Sequence, residues 1–492
     1  MVADQGAQDE SGGRIGRPTL IVVVAVVAVV LAAMFGIRQT MEPTAAPVPE
    51  PDGSTTQTGS VDLELAVWGT EEEIAAYQAV VDDYNASASQ VEVSLLSFDD
   101  SASLTTALQN DSIDPDLYLL PRAELAETLE NERNVPLLDL LDARGLAFGE
   151  DYSRDSVAAF SVDDNLQCMP YGTAPMVMYY NTDLVDFDTM AERGLPVPND
   201  ERTAWSMEAF AAAADFASKP RRGTRGVYIE PTLEGLAPFV LSGGGSMFDD
   251  AVAPTSLALS EEDSASALLE TIEVLRDPNL TLSSQQMERK SGLEWFTEGK
   301  VGMIAGYRDL TPMLRQVPGL KFDVITMPNL DSAATVGELS GLCLGAGKDD
   351  VGAAADFLIY MVSDEAVSRV SEVGYLQPTN VEVSFSGAFL QPSRLPTHAT
   401  VFNEAEDDIV MMPLIDDLDT LQTAVGPQVE ELLTVPVLDD VAAMLAAIDE
   451  ASRDVLDADE AVPTDPPSDL ESGGPEDTGG GDREDEAGAQ GR

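Results

Sequence analysis

Residues 294–303 read EWFTEGKVGM, and this stretch does most to decide the predicted fold. It joins an aromatic pair, Trp295 and Phe296, to a Gly-Lys step at Gly299 and then to small residues ending in Met303. Ten residues carry little weight alone. Their value comes from the other segments that precede and follow them in a fixed order along the chain.

The middle of the chain alternates strand and helix patterns. The predicted elements are, in order, a strand at 61–67, a helix at 71–85, a strand at 91–95, a helix at 101–109, a short strand at 116–120 and, later, a helical face formed by Ala354, Phe357, Leu358 and Met361. Strands that alternate with helices indicate an α/β architecture with largely parallel sheets.

The chain is strongly acidic. It has 88 acidic residues against 26 basic ones, a net charge of −62, and only five of the basic residues are lysines. A polyanion of this kind repels nucleic-acid phosphates and anionic lipid headgroups, so we expect no nucleic-acid partner. Two explanations of the acidity stay open, a solvated surface that keeps the protein soluble and an adaptation to high salt.

Residues 19–37 form an uncharged run dominated by Val, Ala, Leu and Ile. As a helix this run spans about 28 Å, close to the hydrocarbon thickness of a bilayer. Arg14 and Arg17 precede it, which favours a cytoplasmic N-terminus, residues 1–18, and an extracellular location for the rest of the chain. We predict a single-pass anchor in the cell membrane. A cleaved signal sequence is the alternative, and the length of the apolar run favours the anchor.

Low-complexity segments flank the predicted folded part, residues 61–456. Residues 38–60 are rich in Pro, then in Ser, Thr and Gly, which is typical of a linker. Residues 457–492 are acidic and glycine-rich and are predicted to be disordered, because they cannot bury enough apolar surface to offset the entropy of ordering.

The residues of most catalytic sites are missing. His398 is the only histidine, so neither a catalytic triad nor a histidine-rich metal site is supported. The segment 341–348 fails as a phosphate-binding loop, because Leu342 stands at the first glycine position and Asp349 at the Ser/Thr position. We therefore predict a protein that is not an enzyme and uses no cofactor or metal, and we discount a secreted glycan-cleaving enzyme.

Several segments resemble one family in their order. They are Trp68-Gly69, Pro115 to Tyr118, Met169 to Gly172, Met178 to Leu184 (MYYNTDL), Thr203 to Glu208, Glu230-Pro231, Gly243 to Gly245, residues 294–303, Phe322 to Pro328 and Gly374 to Asn380. Together they resemble the extracellular solute-binding proteins of ABC importers, family 1, which are similar to maltose-binding protein. The resemblance covers about residues 61–455, and "YYN-x-DL" is its most specific motif.

This resemblance implies a two-lobed fold of the periplasmic-binding-protein type II class, with a ligand cleft between α/β lobes joined by hinge crossings. The implied boundaries are 61–171 and 340–378 for lobe one, 175–335 and 382–455 for lobe two, and crossings at 171–174, 336–340 and 378–381. It also implies a membrane-tethered subunit that presents its solute to ABC permease subunits. A surface sensor with the same fold, not coupled to transport, is the alternative.

On that mapping Cys168 and Cys343 both lie on lobe-one strands near the hinge. An extracellular pair is a possible disulfide, provided that the Cα atoms lie within about 7 Å. Two buried free thiols are the alternative.

A sugar would need aromatic rings against its apolar face and carboxylates for its hydroxyls, since an unpaired polar group buried on closure costs about 1–3 kcal/mol. The candidates carried over from the resemblance are Trp68, Tyr171, Tyr307 and Tyr375 for stacking, and Asp116, Glu230 and Glu338 for hydroxyls. Each has an alternative role in core packing or capping. Leu120, Ala174 and Met411-Met412 depart from the residues that sugar-binding relatives carry, so a smaller sugar, a polyol or a non-sugar solute stays open.

Overall fold

The computed structural model describes residues 60–457, except residues 89 and 439 and the segments 147–150, 163–164, 416–417 and 435–437. The predicted membrane segment, nearly all of the linker and the acidic tail lie outside the described residues. Within the described part, no helix combines the length and the apolar character needed to cross a bilayer.

The strands are β1 Val61–Trp68, β2 Val91–Phe98, β3 Leu117–Pro121, β4 Asn134–Val135, β5 Ser161–Val162, β6 Asn165–Leu166, β7 Met169–Pro175, β8 Val177–Asn181, β9 Arg225–Tyr228, β10 Val301–Gly306, β11 Phe322–Ile325, β12 Gly337–Gly345 and β13 Gln377–Pro378. The helices of the first third are α1 Glu71–Ser87, α2 Ser101–Gln109, α3 Leu125–Glu130, α4 Leu138–Asp142 and α5 Arg154–Ala159.

The remaining helices are α6 Phe187–Glu192, α7 Met207–Ala217, α8 Leu233–Ser242, α9 Glu262–Leu275, α10 Ser284–Met287, α11 Gly292–Thr297, α12 Leu310–Gln316, α13 Val351–Met361, α14 Asp364–Ser371, α15 Val381–Ser384, α16 Gly387–Leu390, α17 Val401–Glu406, α18 Leu418–Thr434 and α19 Val441–Leu456. The elements predicted between residues 61 and 121, and the helical face around Phe357, are confirmed.

The sheet of lobe one has the order β13-β7-β12-β3-β1-β2, with β4 also paired to β12. β1 is parallel to β2 and β3, but β12 is antiparallel to both β3 and β7. The prediction of largely parallel sheets is therefore wrong. It assumed helix crossovers throughout, whereas β12 enters this sheet directly from the other lobe.

The sheet of lobe two has the order β11-β8-β10-β9 and is also mixed, since β10 is parallel to β9 and antiparallel to β8. The stretch EWFTEGKVGM forms the end of α11, a turn and the start of β10. Gly299 has φ of 65° in that turn, the left-handed conformation that glycine adopts readily after a helix. Trp295 is partly buried there and donates a hydrogen bond to the Gln286 carbonyl at 3.2 Å. The local sequence thus specifies the entry into the central strand pair of lobe two.

The hydrophobic residues separate into cores that follow the lobes. One core uses residues between Leu63 and Tyr171 together with residues between Leu339 and Val383. The other lobe has cores on both faces of its sheet, drawn from Met176 to Val336 and from Phe389 to Ile448. The last part of the chain, with α18 and α19, therefore packs on lobe two.

The connections between the lobes are short. Only Met176 separates β7 in the first sheet from β8 in the second, and β12 returns antiparallel to β7. A disulfide joins Cys168, just before β7, to Cys343 in β12, with the Cα atoms 4.3 Å apart. The hinge strands are therefore fastened covalently at their lobe-one ends.

Candidate functional site

The turn after β1 positions the first part of the cleft. Thr70 caps α1 in a reciprocal capping box with Glu73, whose carboxylate accepts a hydrogen bond from the Thr70 amide at 2.9 Å. Gly69 has φ of 152°, and a Cβ atom there would lie 3.0 Å from the Glu73 side chain. The tight turn therefore holds Glu73 over the end of β1, next to the half-buried Trp68.

The loop after β10 supplies the facing part from lobe two. It carries Tyr307, Arg308 and Asp309 between β10 and α12. Tyr179, in the YYN-x-DL segment, donates a hydrogen bond from its hydroxyl to the Tyr307 carbonyl at 2.7 Å. This segment therefore helps to hold the loop in place.

Arg308 anchors the same loop to the residues that follow α14 and to α16. Its side chain is fully buried and donates to the carbonyls of Gly374 and Phe389, both at 3.0 Å. The guanidinium lies 4.6 Å from the centre of the Phe389 ring, and burial lowers its pKa to about 10. Arg308 is thus turned inward, whereas Asp309 is exposed and the Tyr307 hydroxyl reaches Glu234. The bond from Arg308 to the Gly374 carbonyl ties this loop to the residue before Tyr375.

Tyr307 is half-buried and donates its hydroxyl to Glu234 in the first turn of α8. Burial raises the pKa of Tyr307 well above its usual range, and the carboxylates of Glu234, Glu338 and Asp309 raise it further. The phenol is therefore bonded to one carboxylate, Glu234, and lies within the electrostatic range of two more, Glu338 and Asp309.

Glu338 lies on the crossing strand β12, opposite Ala174 of β7. Its side chain keeps access to solvent, yet loss of hydration among the surrounding protein groups raises its pKa to about 7, and the charges of Glu234 and Asp309 act in the same direction. This carboxyl group is therefore partly protonated near neutral pH.

We call Glu73, Glu234, Asp309 and Glu338 the acidic cleft cluster. Loss of hydration raises the pKa of Asp309 and of Glu73, and the Asp309 charge also raises the pKa of Glu73. Because Glu73 belongs to lobe one and Asp309 to lobe two, the cluster lies where the lobes face each other across β12.

Tyr375 borders the cluster from the loop before β13. Partial burial raises its pKa, the neighbouring Thr70 side chain lowers it, and the charges of Glu72, Glu73 and Asp309 raise it further. Of the predicted ligand residues, Tyr307, Glu338 and Tyr375 all lie within the electrostatic range of Asp309. Trp68 is adjacent through the Gly69-Thr70 turn, although part of its ring packs on the core of lobe one.

Tyr171 and Asp116 lie elsewhere. The Tyr171 side chain is 2% exposed, in the core of lobe one, with its ring centre 6.2 Å from that of Tyr77. The Asp116 carboxylate accepts a hydrogen bond from the Glu64 amide at 2.9 Å, at the start of β3 and far from the end of β1. Tyr171 packs in the core and Asp116 binds a backbone amide, so neither side chain belongs to the cluster.

Glu230 is exposed at the end of β9, and its charge acts on Tyr228. Its carbonyl accepts a hydrogen bond from the Thr232 amide at 2.8 Å, in the turn that leads into α8. Among the described residues, no hydrogen bond or ion pair joins Glu230 to Tyr307 or Glu338.

Four residues of the site were missed from the sequence, namely Glu73, Glu234, Arg308 and Asp309. Glu73 had a recognisable signal, the Thr70-x-x-Glu73 capping box, but that signal predicts a helix start and not a cleft. In a chain with 88 acidic residues, no local pattern separates Glu234 or Asp309 from the others. Nothing in the sequence marks Arg308 as buried.

The cluster is not arranged as a metal site. Among the residues that the structure describes, no three His, Cys, Asp or Glu side chains converge closely enough to hold a metal ion. The arrangement instead places two phenols and four carboxyl groups near the lobe junction, with Trp68 at the adjoining end of β1.

Comparisons with known structures agree with this architecture. The chain is similar to the ABC substrate-binding protein Lmo0181 from Listeria monocytogenes, solved in complex with cycloalternan, with 16% identity, a TM-score of 0.67, and coverage of 81% of this chain and 99% of that one. It is also similar to the cyclic alpha-maltosyl-1,6-maltose binding protein from Arthrobacter globiformis, with 19% identity, a TM-score of 0.63 and coverage of 81% and 100%.

A third similar structure is the GacH receptor of Streptomyces glaucescens, solved unliganded and with acarbose, with 20% identity, a TM-score of 0.59 and coverage of 81% and 97%. At these identities the likeness shows the fold. No relative was found among curated proteins. Residues 79–396, more than half of the chain, match the model of the family described as bacterial extracellular solute-binding protein, and the chain therefore belongs to that family.

Proposed function

We propose that this protein is the solute-binding subunit of an ABC importer and captures a sugar or small oligosaccharide between its two lobes. The observation that carries the proposal is the convergence of Tyr307, Tyr375 and Glu338 on Asp309 at the lobe junction. Aromatic faces next to carboxylates suit a ligand with an apolar face and a rim of hydroxyls.

The similar structures support a carbohydrate. Their ligands include cycloalternan, acarbose, maltose and maltotriose, and one more was solved with alpha-D-tagatose. In this chain we assign stacking to Tyr307 and Tyr375, with Trp68 at the margin, and hydrogen bonding to Glu338. Asp116, Tyr171 and Glu230 are left outside the proposed contact set because of their positions.

We also propose that residues 19–37 tether the protein to the membrane and that permease subunits receive the solute. The uncharged run and its leading arginines support the tether, and the family supports the transport role. Binding between the lobes would favour the closed state by its differential affinity, and the permease would recognise that state.

A ligand screen tests capture. Thermal unfolding of the full chain would be followed with maltose, maltotriose, cyclic maltooligosaccharides, acarbose, tagatose, polyols and polyamines. A ligand at about 100 times its dissociation constant should stabilise the fold by about 2.7 kcal/mol. A shift with one carbohydrate class supports the proposal. No shift with any carbohydrate, in protein shown to be folded and ligand-free, would contradict it. A shift with a polyol or polyamine alone would indicate a non-sugar solute, and no shift with any compound would favour the sensor alternative.

A further inference from the structure

We propose that Arg308, Arg315 and Arg394, which we call the arginine cluster, bind a small inorganic anion such as chloride, sulfate or phosphate. The three residues come from the loop after β10, from α12 and from the loop after α16. None of them belongs to the proposed carbohydrate contacts, so this site is additional to the proposed function and does not depend on it.

Shared partners bring the three guanidinium groups together. Arg315 Nη1 and Arg394 Nη1 both donate to the side-chain oxygen of Gln391, at 2.7 and 3.1 Å. Arg308 Nε donates to the Gly374 carbonyl at 3.0 Å, and Arg315 Nη1 lies 3.0 Å from the position that a Cβ atom would take on the same glycine. The cluster is therefore assembled around Gln391 and Gly374.

Two guanidinium nitrogens of the cluster have no acceptor in the described part of the chain. Arg308 is fully buried, and its Nη1 atom makes no hydrogen bond there. The same holds for the buried Nη2 atom of Arg315. Arg394 is exposed and gives the cluster contact with solvent. Because a buried charged donor without an acceptor is costly, an anion that reaches these nitrogens gains strong hydrogen bonds.

The positive charge of the cluster is not neutralised by a carboxylate, although acidic residues outnumber basic ones by 88 to 26. None of the ion pairs between described residues includes any of its members. Burial, together with the charges of Arg308 and Arg394, lowers the pKa of Arg315 to about 9. Tyr179 also acts on Arg308 and Arg315, but a neutral phenol carries no negative charge. An anion between the guanidinium groups would replace their mutual repulsion by attraction.

The position of the cluster gives the anion a structural effect. Arg308 directly follows Tyr307, and Gly374 directly precedes Tyr375. An anion bound to Arg308 and Arg315 would reinforce the contact between these two loops. It binds the folded chain and not the unfolded one, so it should stabilise the fold.

Thermal unfolding of the full chain tests the site. Sodium chloride, sulfate or phosphate would replace the sodium salt of HEPES, a bulky anion, at constant pH and ionic strength. The unfolding midpoint of wild type should rise and saturate with at least one of the three anions, with half-saturation in the millimolar range. Because no sugar is added, this titration and the ligand screen can fail independently.

Arg394→Gln and Arg315→Gln should each raise the half-saturating concentration of that anion at least about tenfold, since each removes a positive charge and its donors. Arg394 is exposed, so its variant keeps the test available if Arg315→Gln folds poorly. Arg453→Gln, at an exposed ion pair with Glu450 on α19, makes the same change of charge and should keep the wild-type dependence. A wild-type midpoint that no anion shifts would overturn the proposal. A shift that Arg394→Gln and Arg315→Gln both leave unchanged would also overturn it and would indicate an adventitious ion only.

Discussion

At the scale of single residues, the cleft depends on a side chain that does not face it. Arg308 lies against the rings of Phe389 and Phe402 and donates to the carbonyls of Gly374 and Phe389, so it anchors the loop that carries Tyr307 and Asp309. When a fully buried arginine is removed, the carbonyls that it bound lose their donor in a place shielded from solvent, which is costly.

Arg308→Met should therefore lower the free energy of unfolding by about 2–4 kcal/mol, because two buried carbonyls lose their donors. Urea unfolding followed by circular dichroism measures the change. The matched control is Arg369→Met, which removes an exposed ion pair to Asp83 and should cost less than about 1 kcal/mol. Equal losses in the two variants would show that the buried contacts of Arg308 have no special weight.

A second residue-scale prediction concerns Glu406 at the end of α17. Its carboxylate lies 3.4 Å from the Ser156 hydroxyl and 3.3 Å from the Gln377 amide, and burial raises its pKa to about 7. The folded protein therefore binds this proton more tightly than the unfolded chain does. The resulting stability is complete below the ordinary pKa of 4.5 and is lost as the pH rises through about 7.

Glu406→Gln removes this titration, so the variant should gain stability over wild type between about pH 5 and pH 8, by up to about 3 kcal/mol. The measurement is the free energy of unfolding at several pH values. Glu404→Gln, on the exposed face of the same helix, should show no such gain. A difference between Glu406→Gln and wild type that stays constant with pH would contradict the assignment.

At the scale of elements, the hinge strands β7 and β12 are held together by strand pairing and by one disulfide bond. β12 contacts β3 on one side and β7 on the other, and the disulfide between Cys168 and Cys343 closes a long loop, with a sequence separation of 175. Cross-links over long loops restrict the unfolded chain most.

Replacing both cysteines by alanine should lower the free energy of unfolding by about 2–5 kcal/mol. Denaturant unfolding of the variant and of the oxidised wild type gives the difference. Wild type unfolded under reducing conditions is the control and should approach the variant. If the oxidised protein and the double variant unfold at the same denaturant concentration, the bond does not stabilise the fold.

Local pattern explains which elements could be predicted from the sequence. β1, α1, β2 and α2 follow one another with clear periodicities, so their bounds were close to those observed. The antiparallel entry of β12 could not be predicted from local pattern, because its direction depends on β7 and β3, which lie far away in the chain.

At the scale of the whole molecule, the two-lobed fold could be predicted from the order of many short segments along the chain. Each segment alone fits several folds, but all of them in this order fit one. The site was predictable only in part. Tyr307, Glu338 and Tyr375 all lie near Asp309, whereas Tyr171 resembled the other tyrosines in type and proved to be a core residue. Residue type indicates what a side chain can bind, but burial and the facing lobe decide whether a ligand reaches it.

The most direct test of capture in this cleft is the affinity of the cleft variants for the carbohydrate that the screen identifies, measured by titration calorimetry. Tyr307→Ala and Glu338→Gln should each weaken binding by about tenfold or more, since each removes a contact worth at least about 1.4 kcal/mol. Asp116→Asn, at the start of β3 beside Glu64 of β1, should bind like wild type. Unchanged affinity in both cleft variants, with the fold intact, would contradict the assignment of the ligand to the junction of the lobes.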